Sequence, residues 1–111
     1  MEISIEMLEK YLYANYGERG NEQGLFMKLV EEMGEVAEIL NMRTGRKRAD
    51  DVDLTHELGV ELADMIHYTV AIAAINNIDL ASIILEKDKK AAIKYNHEIN
   101  LEDFIAKQEN I

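Results

Sequence analysis

Two pairs of carboxylates in this sequence share one spacing. Glu32 and Glu35 stand three residues apart, and Glu61 and Asp64 repeat that interval. Residues three apart on a helix are neighbours on one face, so each pair predicts two carboxylates on the same side of its helix. If the two helices pack side by side, four carboxylates meet.

Such a cluster has a definite chemical consequence. Like charges at short range raise one another's pKa, so four carboxylates need a cation to stay ionised together. Carboxylate oxygens suit Mg²⁺, with Mn²⁺ as the alternative, and Mg²⁺ commonly completes its coordination with water and a substrate phosphate. The chemistry that follows is metal-assisted attack of water on a phosphoanhydride.

The surroundings of the first pair are also informative. Glu32 borders the apolar stripe of its segment, and Glu35 lies just outside it, whereas Glu31 and Glu38 are expected to face water. The stripe, which we expect to pack the bundle, consists of Leu25, Leu29, Met33, Val36 and Leu40. Glutamates that only face water more often lie opposite such a stripe. Because glutamate is a strong helix former, solvated pairs are common on helices, and spacing alone leaves both interpretations open.

Helical signals divide the chain. The predicted helices run from about Ile5 to Tyr16, Leu25 to Met42, Leu54 to Ile75 and Leu80 to Asn96, with a short helix after Asn100. Ser4 and Asp79 are expected N-caps, and Asp50, Asp51 and Asp53 precede the third helix, whose positive end they suit. Residues 69–75 are apolar on all sides, which indicates burial in a bundle or against a second subunit. We predict one all-α domain over residues 1–111, an antiparallel four-helix bundle.

Composition narrows the class of partners. The 22 acidic and 12 basic residues give a net charge of −10, which argues against nucleic acid as a partner. The absence of cysteine excludes disulfides and thiolate metal sites. The N-terminal residues do not have the pattern of a signal peptide, and no apolar run approaches the roughly 20 residues of a membrane span. The expectation is a cytoplasmic protein without a membrane partner.

The two pairs in their context resemble a known family. Glu32-Met-Gly-Glu35 followed by Glu61-Leu-Ala-Asp64 is similar to the Glu-x-x-Glu and Glu-x-x-Asp signature of MazG-like all-α nucleoside triphosphate pyrophosphohydrolases, and the similarity covers roughly residues 25 to 95. The resemblance implies a four-helix bundle of this type, completed as a homodimer or homotetramer. It also implies Mg²⁺-dependent cleavage of a nucleoside or deoxynucleoside triphosphate between the α and β phosphates, which yields the monophosphate and pyrophosphate.

Roles follow from the resemblance residue by residue. The implied metal ligands are Glu32, Glu35, Glu61 and Asp64, and the catalytic group that orients or deprotonates water is one of the two glutamates on the second helix. The candidate substrate-binding residues are Lys28, Tyr68, Lys87 and Lys94, and the candidates to stack on a base are Phe26 and Tyr68.

Several positions extend the pattern or depart from it. Ala91 stands where family members often have an asparagine that holds phosphate, a role for which Asn96, Lys94 or a second subunit could substitute. His67 stands where an aliphatic residue is usual, and we interpret it as a structural or surface residue. The basic segment of residues 43–48 could lean over a triphosphate or serve only as a solvated connector.

Other functions remain open at this point. A di-metal redox bundle usually has two Glu-x-x-His motifs, and this chain offers only Asp64-x-x-His67. A non-catalytic helical module that binds nucleotide or protein would use the same acidic surface. A phosphoribosyl-ATP pyrophosphohydrolase has a similar motif neighbourhood, although the context fits the general MazG-like type better.

Overall fold

The computed structural model describes residues 1–18, 21–44 and 53–110. Regular structure within these ranges is entirely helical, which confirms the all-α prediction. The helices are α1 (Ile5–Tyr16), α2 (Glu22–Arg43), α3 (Leu54–Ile75), α4 (Leu80–Lys94) and α5 (Leu101–Glu109). Contacts divide the chain into two compact units, Met1–Ile78 with α1 to α3 and Asp79–Ile111 with α4 and α5. A single four-helix bundle therefore stays a prediction.

Side-chain caps set where the helices begin. The backbone N–H groups of Met7, His56 and Ser82 donate to the side chains of Ser4, Asp53 and Asp79 respectively, as expected for N-caps. Asp50 and Asp51, the other predicted capping residues, lie outside the described residues.

Two helix boundaries differ from the prediction. Helix α2 begins at Glu22 rather than near Leu25, because the side chain of Asn21 accepts from the backbone N–H of Gly24 and caps the helix one turn earlier. Helix α4 ends at Lys94, two residues early, because Asn96 adopts a positive φ of 55° that a helix cannot continue.

Helix α3 is central in the first unit, since it packs against both α1 and α2. It runs antiparallel to α2, because Nδ2 of Asn76 after its last turn donates to Oε1 of Glu22 at the start of α2, at 2.7 Å. The buried apolar side chains of this unit are Leu12, Leu25, Ile39, Val70, Ala71, Ala73 and Ala74. Burial of the second half of α3 is thus confirmed, and its small residues allow close packing of its neighbours.

The predicted packing stripe of α2 is wrong in part. Met33 and Leu40 are 51% and 45% exposed, whereas Ile39, which was not in the stripe, is buried. The reason is that α2 carries apolar residues around much of its circumference, so hydrophobicity alone does not say which side meets α3. The inward side is turned toward Ile39. A second set of apolar residues, the outer stripe, is left exposed and consists of Phe26, Val30, Met33 and Leu40.

By length and composition alone, α3 could also cross a membrane, with a mean hydropathy of 1.4 over its most apolar window. The core helix of a water-soluble protein meets the same criterion. Glu61 and Asp64 lie on this helix, and carboxylates are costly to place in a bilayer. The expectation of no membrane partner stays a prediction.

The second unit is held together by polar contacts between α4 and α5. The backbone N–H of Leu101 donates to Oδ2 of Asp88 at 2.6 Å, and Nζ of Lys89 lies 2.9 Å from Oε2 of Glu102. Asn100 caps α5 by accepting from the backbone N–H of Asp103. The short final helix predicted after Asn100 is therefore confirmed.

Candidate functional site

Four carboxylates meet where α2 and α3 cross. One oxygen each of Glu32, Glu61 and Asp64 lies within 4.8 Å of the other two. The Glu35 carboxylate also comes within hydrogen-bonding range of Glu61. The structure thus brings together the two pairs that the sequence spacing singled out, and we call these four residues the acidic cluster.

Glu32 and Glu61 each lie seven residues along the helix from an apolar residue, and this spacing places them on the sides of α2 and α3 that face each other. Glu32 lies midway between Leu25 and Ile39, the two buried residues of α2, at seven residues from each. Seven residues are close to two helical turns, so the three side chains lie along one line that faces α3. Glu61 occupies the equivalent place on α3, seven residues after Leu54, and is half-buried like Glu32. Both glutamates therefore point into the helix interface.

Two oxygens in the interface lack a donor. Oε2 of Glu32 and Oε2 of Glu61 are buried without a hydrogen-bond partner in the described part of the chain. Leaving a buried polar atom unpaired costs about 1–3 kcal/mol, and more for a charged group. Such atoms are uncommon in stable folds and are satisfied when a proton or a cation binds between the oxygens.

The electrostatics of the cluster agree with this geometry. A protonated Glu61 can donate a hydrogen bond to Glu32 or to Glu35, and this possibility, burial and the negative charge of both neighbours raise the pKa of Glu61 from 4.5 to about 8. At neutral pH the cluster without a cation would accordingly hold a proton on Glu61. A divalent cation would take the place of that proton, and an all-oxygen donor set fits Mg²⁺ or Mn²⁺.

Lys28 and Tyr68 lie at the edge of the cluster. Lys28 Nζ is 3.4 Å from Oε2 of Glu31, and hydrogen bonding to Glu31 is the main cause of the raised pKa of Lys28, with smaller contributions from Tyr68 and Glu32. Burial is the main cause of the raised pKa of Tyr68, and Glu32 and Asp64 raise it further. One ammonium and one phenol thus lie close to the carboxylates, although their predicted role toward substrate stays a prediction.

Sequence reasoning missed Tyr16. Its hydroxyl lies 2.9 Å from Nε2 of His67, and its ring meets the His67 ring edge to face. His67 is therefore a structural residue, as interpreted, but one that joins α1 to the helix carrying Glu61 and Asp64. The two residues are 51 positions apart, and no motif or periodicity links them.

No contact with the acidic cluster is observed for the remaining predicted residues in the described part of the chain. Lys87 and Lys94 are on α4 in the second unit, where Nζ of Lys94 lies over the Tyr95 ring at 5.3 Å from its centroid. That Lys87 and Lys94 bind phosphate stays a prediction. So does the suggestion that Asn96 takes the role of the family asparagine, where this chain has Ala91. Phe26 is exposed on α2. Most of the basic segment, residues 45–48, lies outside the described residues.

Comparisons with known proteins give no relative: no family model matches the chain, and no curated protein is significantly similar to it. The MazG-like resemblance accordingly stays a prediction that depends on the motif and its context. The geometry shows that carboxylates of Glu32, Glu61 and Asp64, from two separate helices, converge in the folded chain.

Proposed function

We propose that this protein is a Mg²⁺-dependent nucleoside or deoxynucleoside triphosphate pyrophosphohydrolase of the MazG-like type, cleaving between the α and β phosphates. The observation that carries the proposal is the convergence of Glu32, Glu61 and Asp64 within 4.8 Å. The donorless buried oxygens of Glu32 and Glu61 add to it, because a surface cluster of acidic residues would be satisfied by water.

The residues that would hold the ion are those of the acidic cluster. Glu32 and Glu61 present oxygens from inside the helix interface, and Asp64 adds a third from the next turn of α3. When bound, Mg²⁺ would neutralise the polyphosphate, lower the pKa of a coordinated water and stabilise the pyrophosphate leaving group. Mn²⁺ fits the same oxygen donors.

Glu35 is the better candidate to handle the attacking water. Its side chain is exposed while that of Glu32 is half-buried, so only Glu35 meets solvent freely while remaining in reach of Glu61. A carboxylate in that position can orient a water molecule and accept its proton. Lys28 and Tyr68, which lie within a helical turn or two of the cluster residues on α2 and α3, would contact the phosphates. The predicted role of Lys87 and Lys94 toward phosphate stays a prediction.

The proposed assembly is a homodimer or homotetramer in which a second copy covers the outer stripe of α2. Its four apolar members are 42–54% exposed and lie along one side of α2. Burial of apolar area contributes about 25 cal/mol per Å², so a contiguous stripe favours association. Helices of a second copy would then complete the four-helix bundle.

The alternative is a module that binds nucleotide without cleaving it. Ala91 favours it, because it removes the amide expected to hold phosphate in the related enzymes. The two functions differ in one measurement, since only the enzyme releases pyrophosphate.

The test is a panel of canonical and modified nucleoside triphosphates with Mg²⁺, assayed for pyrophosphate. We expect at least one substrate to turn over and Glu35→Gln and Asp64→Asn to abolish turnover. Glu86→Gln, which neutralises an exposed carboxylate paired with Lys90 on α4, is the matched control and should keep full activity. Absence of turnover with every nucleotide, or unchanged rates in both cluster variants, would refute the proposal.

A further inference from the structure

Three aromatic side chains form a row that joins α1 to α3, the helix that carries Glu61 and Asp64. The His67 ring lies between two tyrosines, with centroid distances of 5.7 Å to Tyr16 and 5.0 Å to Tyr68. Both contacts are edge to face, with interplanar angles of 85° and 79°. Edge-to-face pairs at these distances are mutually stabilising, and each ring limits the rotation of its neighbour.

A hydrogen bond fixes the middle ring. The Tyr16 hydroxyl and Nε2 of His67 are 2.9 Å apart, so the imidazole cannot turn without breaking that bond. All three side chains are half-buried, which leaves them little freedom to rearrange. The orientation of the Tyr68 ring therefore depends on Tyr16 through His67.

The Tyr68 phenol is the end of the row that meets the cluster. Tyr68 follows Asp64 by four residues and Glu61 by seven, so the three side chains lie on one face of α3. The charges of Lys28, Glu32 and Asp64 also act on the phenol. A phenol keeps its proton at neutral pH and can therefore donate a hydrogen bond.

We propose that Tyr16 and His67 are positioning residues that hold the Tyr68 hydroxyl at the edge of the acidic cluster, where it donates to a phosphate oxygen of the bound polyphosphate. The inference rests on the proposed function for the nature of the ligand. It assigns α1 a part in the site, although α1 carries none of the carboxylates.

The alternative is that Tyr16 only packs between α1 and α3, and this role would not require its hydroxyl. A residue that only fills space between α1 and α3 would act equally well as phenylalanine, because the two rings have the same shape. The hydroxyl bonded to Nε2 is what the positioning role requires. Replacing Tyr16 with phenylalanine therefore removes the feature in question and keeps the packing.

The experiment is a double-mutant cycle with Mg²⁺-pyrophosphate as the probe, measured by titration calorimetry. Pyrophosphate has no base or sugar, so its affinity reports phosphate contacts alone. We expect Tyr68→Phe to weaken binding about tenfold, the value of a lost hydrogen bond to a charged group, and Tyr16→Phe about threefold. The double variant should bind no more weakly than Tyr68→Phe alone, because Tyr16 acts through Tyr68.

Two further readings accompany the cycle. The Tyr68 ring resonances, recorded by NMR without ligand, should shift in Tyr16→Phe, and Tyr11→Phe on the exposed side of α1 should change neither the resonances nor the affinity. Equal losses from Tyr16→Phe in the two backgrounds, no loss at all, or no binding of Mg²⁺-pyrophosphate to the unmodified protein would each overturn the inference. If pyrophosphate binds and the cycle is non-additive but no nucleotide is cleaved, the proposed function fails and the positioning role stands.

Discussion

Helix α2 has two sides that contrast in composition and in burial. The side that faces α3 holds Leu25, Glu32 and Ile39 and is covered, even though its middle residue is a carboxylate. The outer stripe, with Phe26, Val30 and Met33 among its members, is exposed even though it is apolar. If α2 served only the stability of the monomer, we would expect an apolar residue in place of Glu32 and polar residues in the outer stripe.

The contrast indicates that neither side is optimised for the isolated chain. Burying a carboxylate oxygen without a donor is unfavourable, and sites that bind ligands commonly retain such groups at the expense of stability. Exposing an apolar stripe is unfavourable in a monomer and becomes favourable when a second surface covers it. The proposals assign an ion to the inner side and a second copy to the outer side, and each proposal can be tested separately.

The largest expected effect comes from the inner side. Glu32→Gln keeps the shape of the side chain but removes the charge that would bind the ion, and we expect pyrophosphate release to fall by about a thousandfold. The same variant should be no less stable than the unmodified protein, since it removes a buried charge. Steady-state kinetics and thermal unfolding check the two halves of this prediction.

Glu86→Gln, which neutralises an exposed carboxylate paired with Lys90 on α4, is the control for that variant. If Glu32→Gln lost activity only because it unfolded, its melting temperature would drop, and the assignment of Glu32 to the ion would lose its support.

Substitutions in the outer stripe should change the oligomeric state of the protein rather than its chemistry. Val30→Glu combined with Met33→Glu places two charges on the surface that the second copy would cover, and we expect dimer affinity to fall at least about a hundredfold. Analytical ultracentrifugation would then find the monomer mass. Met7→Glu, an exposed apolar residue on α1, is the matched control and should leave the mass unchanged. A monomeric unmodified protein would contradict the proposed assembly.

Stability should distinguish neighbouring residues on the two sides. Ile39→Ala removes a buried side chain that contributes to the interface with α3, and we expect a loss of about 2–4 kcal/mol in the free energy of unfolding. Leu40→Ala removes a side chain that is half exposed, with an expected loss below about 1 kcal/mol in the monomer. Chemical denaturation of both variants, carried out in the Val30→Glu, Met33→Glu background, measures this difference without the contribution of assembly.

Much of this arrangement could be predicted from local signals. The helices, most of their caps and the two carboxylate pairs depend on residues close in sequence, and these predictions agree with the structure. The seven-residue spacing of Leu25, Glu32 and Ile39 also indicates that Glu32 lies on the inner side. This spacing does not stand out in the sequence, because the outer stripe supplies an equally regular set of apolar residues.

What local signals could not provide is the choice between packing partners. The contact of Tyr16 with His67 depends on how α1 lies on α3, which no short interval encodes. Which apolar side of α2 turns inward is likewise decided by the whole interface. Patterning limits the possible cores of a small helical chain, and tertiary packing selects one of them.

The smallest expected effect is a change in pH dependence. Because the pKa of Glu61 is raised from 4.5 to about 8 in the folded chain, its contribution favours folding below pH 4.5 and is lost as the pH rises through 8. Without metal, the difference in melting temperature between Glu61→Gln and the unmodified protein should therefore widen in favour of the variant over that range.

Mg²⁺ should reverse the trend, because the ion binds the deprotonated cluster and must displace the proton held by Glu61. Its apparent affinity is expected to increase by up to about tenfold per pH unit until pH 8 and to level off above it. Glu86→Gln, which removes an exposed carboxylate paired with Lys90 on α4, should leave both profiles unchanged. A Mg²⁺ affinity that does not vary between pH 6 and 8 would mean that the ion does not compete with that proton, and the inner side of α2 would then need another explanation.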